Sequence, residues 1–482
     1  MPLKQNLVYN FLLSVSQVLF PLITIPYVSR VLAPDMIGRV GFIDSYTYFF
    51  TVLAEFGIIT YGVREISKKK GMGEEIDGLV SELLVIQFIS GLVTLVPFFL
   101  SLFYLKKSFT EPALLIWAIV FYLSNLFYSE WFFWGTERFK FVAIRSFAVR
   151  SFATVCVFLM VKAGEDYIYY YAIMSAAGIL NLFINFLQLS KLVNIRLKNV
   201  AIKKHFKPLL AIHGITLCYA AFGMLDTPLL RFSSHSEYQT GIYVFSIKLI
   251  RTASSLITDF LLVLFPFSIA VQQNNSSLWK SKIRESSSLI LMFSIPMTVG
   301  IFTVAPVLTR LYFGQGFTEI AISLRWLSSL VFLVSLELFL NKQLLLANHL
   351  ENATLKVAGF CSLIFIGSAI FWGARWGYKG AAMAMITAET ALLLGYVLLK
   401  KRFIPGVSIF NVADFLKIIL ASAAMYFLIY LFPNQEYWNW PMLLLFVFCS
   451  ILTYFFIVLI VCKISLKAYI EAFLFEKLNI KK

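Results

Sequence analysis

The sequence predicts an all-α, polytopic membrane protein with about 14 transmembrane helices. Apolar stretches of about 18 to 25 residues recur from Leu7 to Lys463, separated by short charged loops. Hydrophobic residues make up 60% of the 482-residue chain and charged residues only 14%. Because lipid offers the backbone no hydrogen-bond partner, an apolar stretch of about 20 residues crosses the membrane as a helix. The length leaves no room for a sizeable soluble domain.

The positions of these stretches predict the individual spans. The first stretch superficially resembles a signal peptide, but it contains Asn10 and Pro21 and lacks a small-residue cleavage site. We therefore expect a retained first helix. The predicted spans are 7–29, 38–63, 79–104, 112–134, 141–162, 167–189, 208–231, 241–271, 288–313, 321–346, 354–373, 377–399, 411–432 and 440–462.

The distribution of basic residues predicts the orientation of the chain. The loops that contain 64–70, 138–140 and 191–207, together with the C-terminal tail, hold most of the Lys and Arg residues. By the positive-inside rule, both termini are cytoplasmic. The formal net charge of +16 is therefore a topology signal and an attraction to anionic lipid, and no nucleic-acid partner is predicted.

The longest basic connection follows the sixth predicted span and is typical of a linker between two six-helix halves. Weak internal similarity, such as Glu55-Phe56 in span two and Asp259-Phe260 in span eight, favours two parallel repeats. The predicted organisation is an N-terminal lobe at 1–190, a cytoplasmic basic linker at 191–207, a C-terminal lobe at 208–405, and two further helices with a cytoplasmic tail at 406–482.

Four cations fall within the apolar stretches of two predicted spans, one in each half of the chain. Each ionisable side chain near mid-bilayer costs about 2.5 to 3.5 kcal/mol, so such residues face a cavity or a partner. A water-filled cavity with a cationic wall suits an anionic ligand, and guanidinium groups suit phosphate because they bind it through two hydrogen bonds. The candidate binding residues are Arg145, Arg150, Lys248 and Arg251.

Acidic residues also lie in the apolar stretches. Asp44 and Glu55 share one face of span two, and Asp259 ends a similar stripe in span eight. These residues are candidates for cation or proton sites. Three others stand more alone in the sequence, and for them internal pairing that fixes helix packing is the alternative. These are Asp226, which is also a candidate for ion or proton coupling, Glu337 and Glu389.

The sequence lacks the usual signals of catalysis. It contains no phosphate-binding loop, no dinucleotide glycine fingerprint and no paired His ligands. The five cysteines are scattered through apolar stretches without metal-ligand spacing. We therefore predict that the protein is not an enzyme, and that it has no cofactor, no metal site and no disulfide framework.

Several short segments resemble the polysaccharide transporter family of Wzx-type flippases, which belongs to the same superfamily as MATE exporters and lipid II flippases. Their order and spacing carry the resemblance, which covers roughly residues 1–400. Asp226 falls where the family often has an acid. The matching segments are Ile25–Leu32, Phe56-Gly57, Tyr61–Glu65, Glu130–Glu137, His205–Pro208 and Gly377–Ala382, with Glu389.

The resemblance implies two six-helix lobes around a central cavity, with two C-terminal helices as an addition. It also implies undecaprenyl-pyrophosphate-linked glycan as the substrate, membrane lipid as the surroundings, and a glycan polymerase and a chain-length regulator as partners. The expected location is the bacterial inner membrane. Arg30 is a further candidate for substrate binding, at the outer gate.

The predicted function is therefore a flippase that moves a lipid-linked oligosaccharide, such as an O-antigen repeat unit, by alternating access. A lipid II flippase and a MATE-like exporter of small organic cations remain alternatives. A cation exporter predicts a predominantly acidic cavity. A glycan polymerase or ligase needs a large outer loop, and no such loop is predicted.

Overall fold

The computed structural model describes residues 3–109, 111–196, 201–274, 276–314, 316–348, 350–430 and 437–461. These residues are helical, with no β-strand among them. The helices before the linker are α1 (Leu3–Val31), α2 (Pro34–Glu55), α3 (Ile58–Gly71), α4 (Asp77–Phe109), α5 (Pro112–Asn125), α6 (Glu130–Gly135), α7 (Phe139–Met160) and α8 (Tyr167–Ser190). The helices after it are α9 (Lys203–Met224), α10 (Asp226–Ser234), α11 (Glu237–Asn274), α12 (Ser276–Phe313), α13 (Ile320–Leu327), α14 (Ser329–Phe339), α15 (Glu351–Trp376), α16 (Tyr378–Phe403), α17 (Val412–Tyr430) and α18 (Trp440–Phe456).

Every predicted span overlaps one helix or a run of consecutive helical segments. Within the described residues, 11 helical segments are long and apolar enough to cross a membrane, or up to 12 if the bent pair α2–α3 counts as one span. The predicted spans at 241–271 and 411–432 correspond to α11 and α17, which both contain residues whose side chains lie outside the description. The count of 14 therefore stays a prediction.

The second predicted span is broken at Phe56-Gly57. Both residues have positive φ angles, 49° and 76°, and the helix axes on either side differ by 41°. A Cβ atom on Gly57 would lie 3.0 Å from the backbone nitrogen of His213 and 3.1 Å from the carbonyl oxygen of Leu209. Glycine therefore supplies both the left-handed conformation and the room for α9 to pack against the bend.

The chain forms two compact units. The first comprises Met1–Val244 and Phe365–Gly377, and the second comprises Phe245–Ile364 and Tyr378–Lys482. The sequence prediction instead divided the lobes at the linker 191–207. The difference has a physical cause within the first unit, since α9 packs against α2 and α3, and α10 packs against α2.

Polar contacts tie the linker to the start of α4. Glu82 accepts hydrogen bonds from the Nζ of Lys204 and the backbone N–H of Ala201, both from the residues that lead into or begin α9. The Nε2 of His205 lies 2.8 Å from the Oε2 of Glu82, and its Nδ1 lies 2.8 Å from the hydroxyl of Tyr61. His205 is buried, so this network fixes the start of α9 to α3 and α4.

In the second unit, α12 packs against α13, α14 and α17, while α16 packs against α14. The hydroxyl of Tyr454 on α18 donates a hydrogen bond of 2.7 Å to the carbonyl of Met292 on α12. Met292, Met425 and Tyr454 belong to one buried cluster. The two helices predicted at 406–482 therefore pack on α12 by apolar side chains with a buried polar anchor.

Candidate functional site

Arg145 lies in the interior of the first unit, in a buried ion pair. Its Nη2 is 3.0 Å from the Oε2 of Glu130, and Arg145 is only 6% exposed. The guanidinium also donates to the Oγ of Ser146 at 2.9 Å and to the Oδ1 of Asn185 on α8. The hydroxyl of Tyr128 donates to the same Glu130 oxygen at 2.8 Å. The arginine is therefore held in one orientation by α6, α7 and α8.

Burial of this pair carries a large desolvation penalty, which the surrounding hydrogen bonds offset. One donor is left over, because the Nε of Arg145 has no hydrogen-bond partner among the described residues. Sequence reasoning quoted Glu130 only as part of a family motif and did not identify it as the partner. The signal available was a carboxylate next to the aromatic stretch 131–134, where burial demands a counter-ion.

Arg150 is half-buried one and a half turns further along α7. Its Nη1 donates a hydrogen bond of 2.6 Å to the Oγ of Ser16 on α1, consistent with the close packing of these two helices. Arg150 is also within electrostatic range of Glu130 and Arg145. Of the two cations predicted in the first lobe, Arg145 is thus paired with Glu130, and Arg150 lies within electrostatic range of that pair.

A cavity of about 650 Å³ opens beside Arg145. It is lined by the last residues of α3, the turn between α6 and α7, and the neighbouring faces of α7 and α8. The basic residues in its lining are Lys70, Arg138, Lys140 and Arg145. This cavity lies in the first unit and was not predicted from the sequence.

A second ion network joins the start of α2 to the start of α11 within the first unit. The Nε of Arg39 lies 2.5 Å from the Oε2 of Glu237, and the Nη2 of Arg231 lies 3.2 Å from the other oxygen of the same carboxylate. Arg39 also lies 3.5 Å from Glu111 and within hydrogen-bond distance of the Tyr167 hydroxyl. The sequence prediction missed this network, because 198 residues separate Arg39 from Glu237.

The acidic stripe of α2 is half-buried. Asp44 is within electrostatic range of Tyr48 and Tyr171. Glu55, the last residue of α2, is also within range of Tyr48, as is Glu130. The predicted acidic face therefore lies in the first unit near the Glu130 network, and carboxylates accompany the cations there.

Asp226 and Arg30 each have partners that define a local role. Asp226 is buried, and its two oxygens accept hydrogen bonds from the Thr227 backbone at 2.8 Å and the Tyr243 hydroxyl at 3.0 Å. Arg30 is exposed and donates to the carbonyl of Pro26 in its own helix at 2.7 Å. The side chain of Asp259 lies outside the described residues.

The predicted cations of the second half lie on α11, in the second unit. Lys248 and Arg251 are half-buried, and Arg251 is within electrostatic range of Glu389 on α16. Glu389 is buried, and its Oε2 accepts no hydrogen bond from any described residue. A carboxylate in this state can take up a proton or a cation, so Glu389 joins the candidate coupling residues.

A π-helical turn, Leu340–Leu345, follows α14 and packs against α16. Glu337, just before it, is buried and lies within electrostatic range of Lys342. Such turns are rare and occur frequently at functional sites. No group of three or more His, Cys, Asp or Glu residues suited to a metal ion occurs among the residues searched, which are the described ones.

The long apolar helices define a multi-pass membrane protein. The family described as "Polysaccharide biosynthesis protein" matches residues 3–272, and the chain belongs to this family. The predicted resemblance to polysaccharide transporters is thereby confirmed.

Two relatives are named as O-antigen transporters. The protein from Escherichia coli (strain K12) is 24% identical over 426 residues, which cover 82% of this chain and 96% of the relative. The protein from Shigella dysenteriae is 23% identical over 391 residues, with coverage of 78% and 95%. These names describe transporters, in line with the prediction that the chain is not an enzyme.

Two solved structures show the fold. The lipid II flippase MurJ in an inward closed conformation has a TM-score of 0.65 at 19% identity, with coverage of 95% of this chain and 99% of MurJ. A multidrug resistance MATE-family transporter in an inward-facing conformation has a TM-score of 0.61 at 15% identity, with coverage of 80% and 94%. The chain therefore has the fold of the MOP transporter superfamily.

Proposed function

We propose that this protein is a flippase for undecaprenyl-pyrophosphate-linked oligosaccharide, an O-antigen or related surface-glycan repeat unit, in the bacterial inner membrane. The observation that carries the proposal is the Glu130–Arg145–Arg150 network inside membrane-spanning helices, in which the Glu130–Arg145 ion pair lies within electrostatic range of a second guanidinium. Arg150, whose hydrogen-bond acceptor is the neutral hydroxyl of Ser16, places a cation at a depth that suits an anionic cargo. The family assignment and the names of the relatives support the glycan part of that cargo.

The partners of each cation suggest distinct roles. Arg145 is fixed by Glu130, so its charge contributes to the field while its geometry stays constant. Arg150 has only a neutral hydroxyl as its hydrogen-bond acceptor among the described residues, and it can exchange that contact for a phosphate oxygen. We propose that Arg150, Lys248 and Arg251 contact the pyrophosphate during the cycle, with Arg30 as a further contact at the outer gate.

Alternating access needs an end of the transporter that opens and closes. The Arg39–Glu237 ion pair joins α2 and α11 at the end that the positive-inside rule assigns to the periplasm. We propose that this pair and its Arg231 neighbour hold that end shut in the state described here. Both termini are then cytoplasmic, and a glycan polymerase and a chain-length regulator would receive the cargo on the opposite side.

The membrane potential supplies a driving force without ATP. Moving about two uncompensated negative charges outward through 100 mV, negative inside, releases roughly 4 to 5 kcal/mol. Asp44, Glu55, Asp226 and Asp259 stay the proposed sites of ion or proton coupling. Asp226 has both oxygens satisfied, so Asp44 and Glu55, together with Glu389, are the better candidates.

A transport assay tests the function. Proteoliposomes receive fluorescent undecaprenyl-pyrophosphate oligosaccharide in one leaflet, and its appearance in the other is measured by chemical quenching. We expect rapid flipping by the native protein and at least a tenfold slower rate in an Arg150→Gln/Lys248→Gln variant. A Lys401→Gln/Arg402→Gln variant, which loses the same charge from exposed positions, is the control and should flip normally. Unchanged flipping in the first variant would refute the proposed role of these cations.

The MurJ likeness favours lipid II as the second candidate cargo, because MurJ is covered over 99% of its length. Lipid II carries the same undecaprenyl pyrophosphate but a different sugar and a peptide. The two cargoes are separated by competition, with unlabelled lipid II added to the glycan assay. A MATE-like exporter of small organic cations would instead transport such cations and would transport neither lipid.

A further inference from the structure

We propose that the basic cavity beside Arg145 binds the phosphate headgroup of an anionic phospholipid. The cavity is formed by the last residues of α3, the α6–α7 turn and one side of α7 and α8. The cavity shares Arg145 with the network that carries the proposed function, but headgroup binding depends on Arg138 and Lys140, whereas the proposed transport needs Arg150 and the cations of α11. A failure of the lipid-binding test would therefore not contradict the proposed cargo, and a failure of the transport test would not contradict lipid binding.

The lining of the cavity carries more positive than negative charge, which favours an anionic ligand. Arg138 and Lys140 are exposed side chains without an ion-pair partner among the described residues. Lys70 donates to the carbonyl of Thr136 at 2.9 Å and lies 3.9 Å from Glu137, the acidic residue of the lining. Glu137 offsets part of the charge, and Arg138 and Lys140 remain available for a phosphodiester.

Arg145 also lines the cavity, from a buried position. Arg145 is 6% exposed, and its Nε has no hydrogen-bond partner among the described residues, although its other nitrogens are occupied. The N-terminus of α7 also opens here, with no acidic residue in its first turn. The positive end of a 22-residue helix adds to the attraction for an anion.

The walls indicate that the anion belongs to a lipid. Phe141 and Ile144 of α7 and Ile184 of α8 line the cavity, and Ile144 is 55% exposed on the outer side of its helix. These side chains suit acyl chains, and the cations suit the headgroup above them. Basic pockets between transmembrane helices on the cytoplasmic side hold anionic lipid headgroups, and the positive-inside rule assigns this end to the cytoplasm.

Native mass spectrometry of the purified full-length protein tests the assignment. The protein in detergent is titrated with phosphatidylglycerol and, separately, with phosphatidylcholine. We expect one tightly retained phosphatidylglycerol and weaker binding of phosphatidylcholine. Each cation near a phosphate is worth roughly a factor of five, so an Arg138→Gln/Lys140→Gln variant should bind phosphatidylglycerol about 25-fold more weakly. Lys401→Gln/Arg402→Gln is the matched control and should bind within twofold of the native protein.

A second variant probes the apolar wall without a change of charge. Ile144→Trp fills the mouth from an exposed position, and we expect it to lose the retained lipid while its melting temperature stays unchanged. Equal binding in the Arg138→Gln/Lys140→Gln variant overturns the proposal. Displacement of the lipid by soluble glycerol phosphate at equal concentration overturns the lipid assignment in favour of a free-phosphate site. Displacement by undecaprenyl pyrophosphate at equal concentration overturns it in favour of the transported lipid.

Discussion

Gly38 of α2 and Gly241 of α11 lie in direct contact. A Cβ atom on Gly38 would lie 3.0 Å from the backbone nitrogen of Gly241 and would overlap the carbonyl oxygen of Glu237. A Cβ atom on Gly241 would overlap the carbonyl oxygen of Pro34. The two helices therefore meet backbone against backbone, which only small residues permit in a membrane. Arg39 reaches Glu237 at the same crossing, so a steric fit and an ion pair hold these two helices together.

The glycine crossing predicts that a single methyl group will disturb the end that we propose is closed. Gly38→Ala should destabilise this state by about 1 to 3 kcal/mol, because the added carbon meets backbone atoms that cannot move aside. Spin labels on Ala33→Cys and His235→Cys, both exposed, measure the separation by electron resonance in a cysteine-free background. We expect a longer distance population in Gly38→Ala.

Gly223→Ala is the matched control, since a Cβ atom there meets no atom within 4 Å. It should leave the distance distribution unchanged. An equal response of both variants would show that glycine substitution acts on helix flexibility and not on the crossing.

The ion pair at the crossing predicts which of two substitutions opens this end more. Glu237→Gln leaves Arg39 and Arg231 facing each other without their shared carboxylate, while Arg39→Gln leaves Glu237 with Arg231. We therefore expect Glu237→Gln to open this end more than Arg39→Gln in the same distance measurement. High salt should weaken the difference, because these charges are partly exposed. The reverse order would contradict the assigned geometry.

The buried pair of Glu130 and Arg145 predicts a stability effect. Glu130→Gln removes the negative partner and leaves a guanidinium buried without a counter-ion, which costs about 3 to 5 kcal/mol. Thermal unfolding in detergent measures the loss. The double variant Glu130→Gln/Arg145→Met should recover much of it, since no lone charge remains. Glu137→Gln, at an exposed acid nearby, should change the melting temperature little.

The contact of His205 with Glu82 predicts that the linker resists cleavage by proteases. His205→Ala removes one of the partners of Glu82 and its contact with Tyr61, and it should loosen the start of α9. Trypsin should then cleave the basic segment 191–207 several times faster than in the native protein. His235→Ala, at an exposed histidine, is the control. No change in cleavage of His205→Ala would mean that backbone packing alone holds this segment.

The membrane-spanning helices could be predicted from composition, because lipid imposes a length and a hydrophobicity on every span. The breaks inside the spans could not. The bend at Phe56-Gly57 depends on α9 fitting against it, and the turn at Leu340–Leu345 depends on packing against α16. These are tertiary effects that a local sequence pattern does not carry.

The candidate site was likewise predictable from the sequence only in part. The sequence identified Arg145 and Arg150 as charges that needed an explanation, from their position in an apolar stretch. It did not reveal that Glu130 neutralises Arg145, or that Arg39 pairs with Glu237, because the partner of a charge depends on which helices are neighbours. The division of the chain at Val244 has the same origin, in the packing of α9 and α10 on α2.

The measurement that tests the proposed cargo site most directly is an electron cryo-microscopy structure with undecaprenyl-pyrophosphate oligosaccharide bound. We predict that the pyrophosphate oxygens lie within hydrogen-bond distance of Arg150, of Lys248 or of Arg251, with the Glu130–Arg145 pair intact. A pyrophosphate seated away from all three cations, with Arg150 still bonded to Ser16, would contradict the proposal.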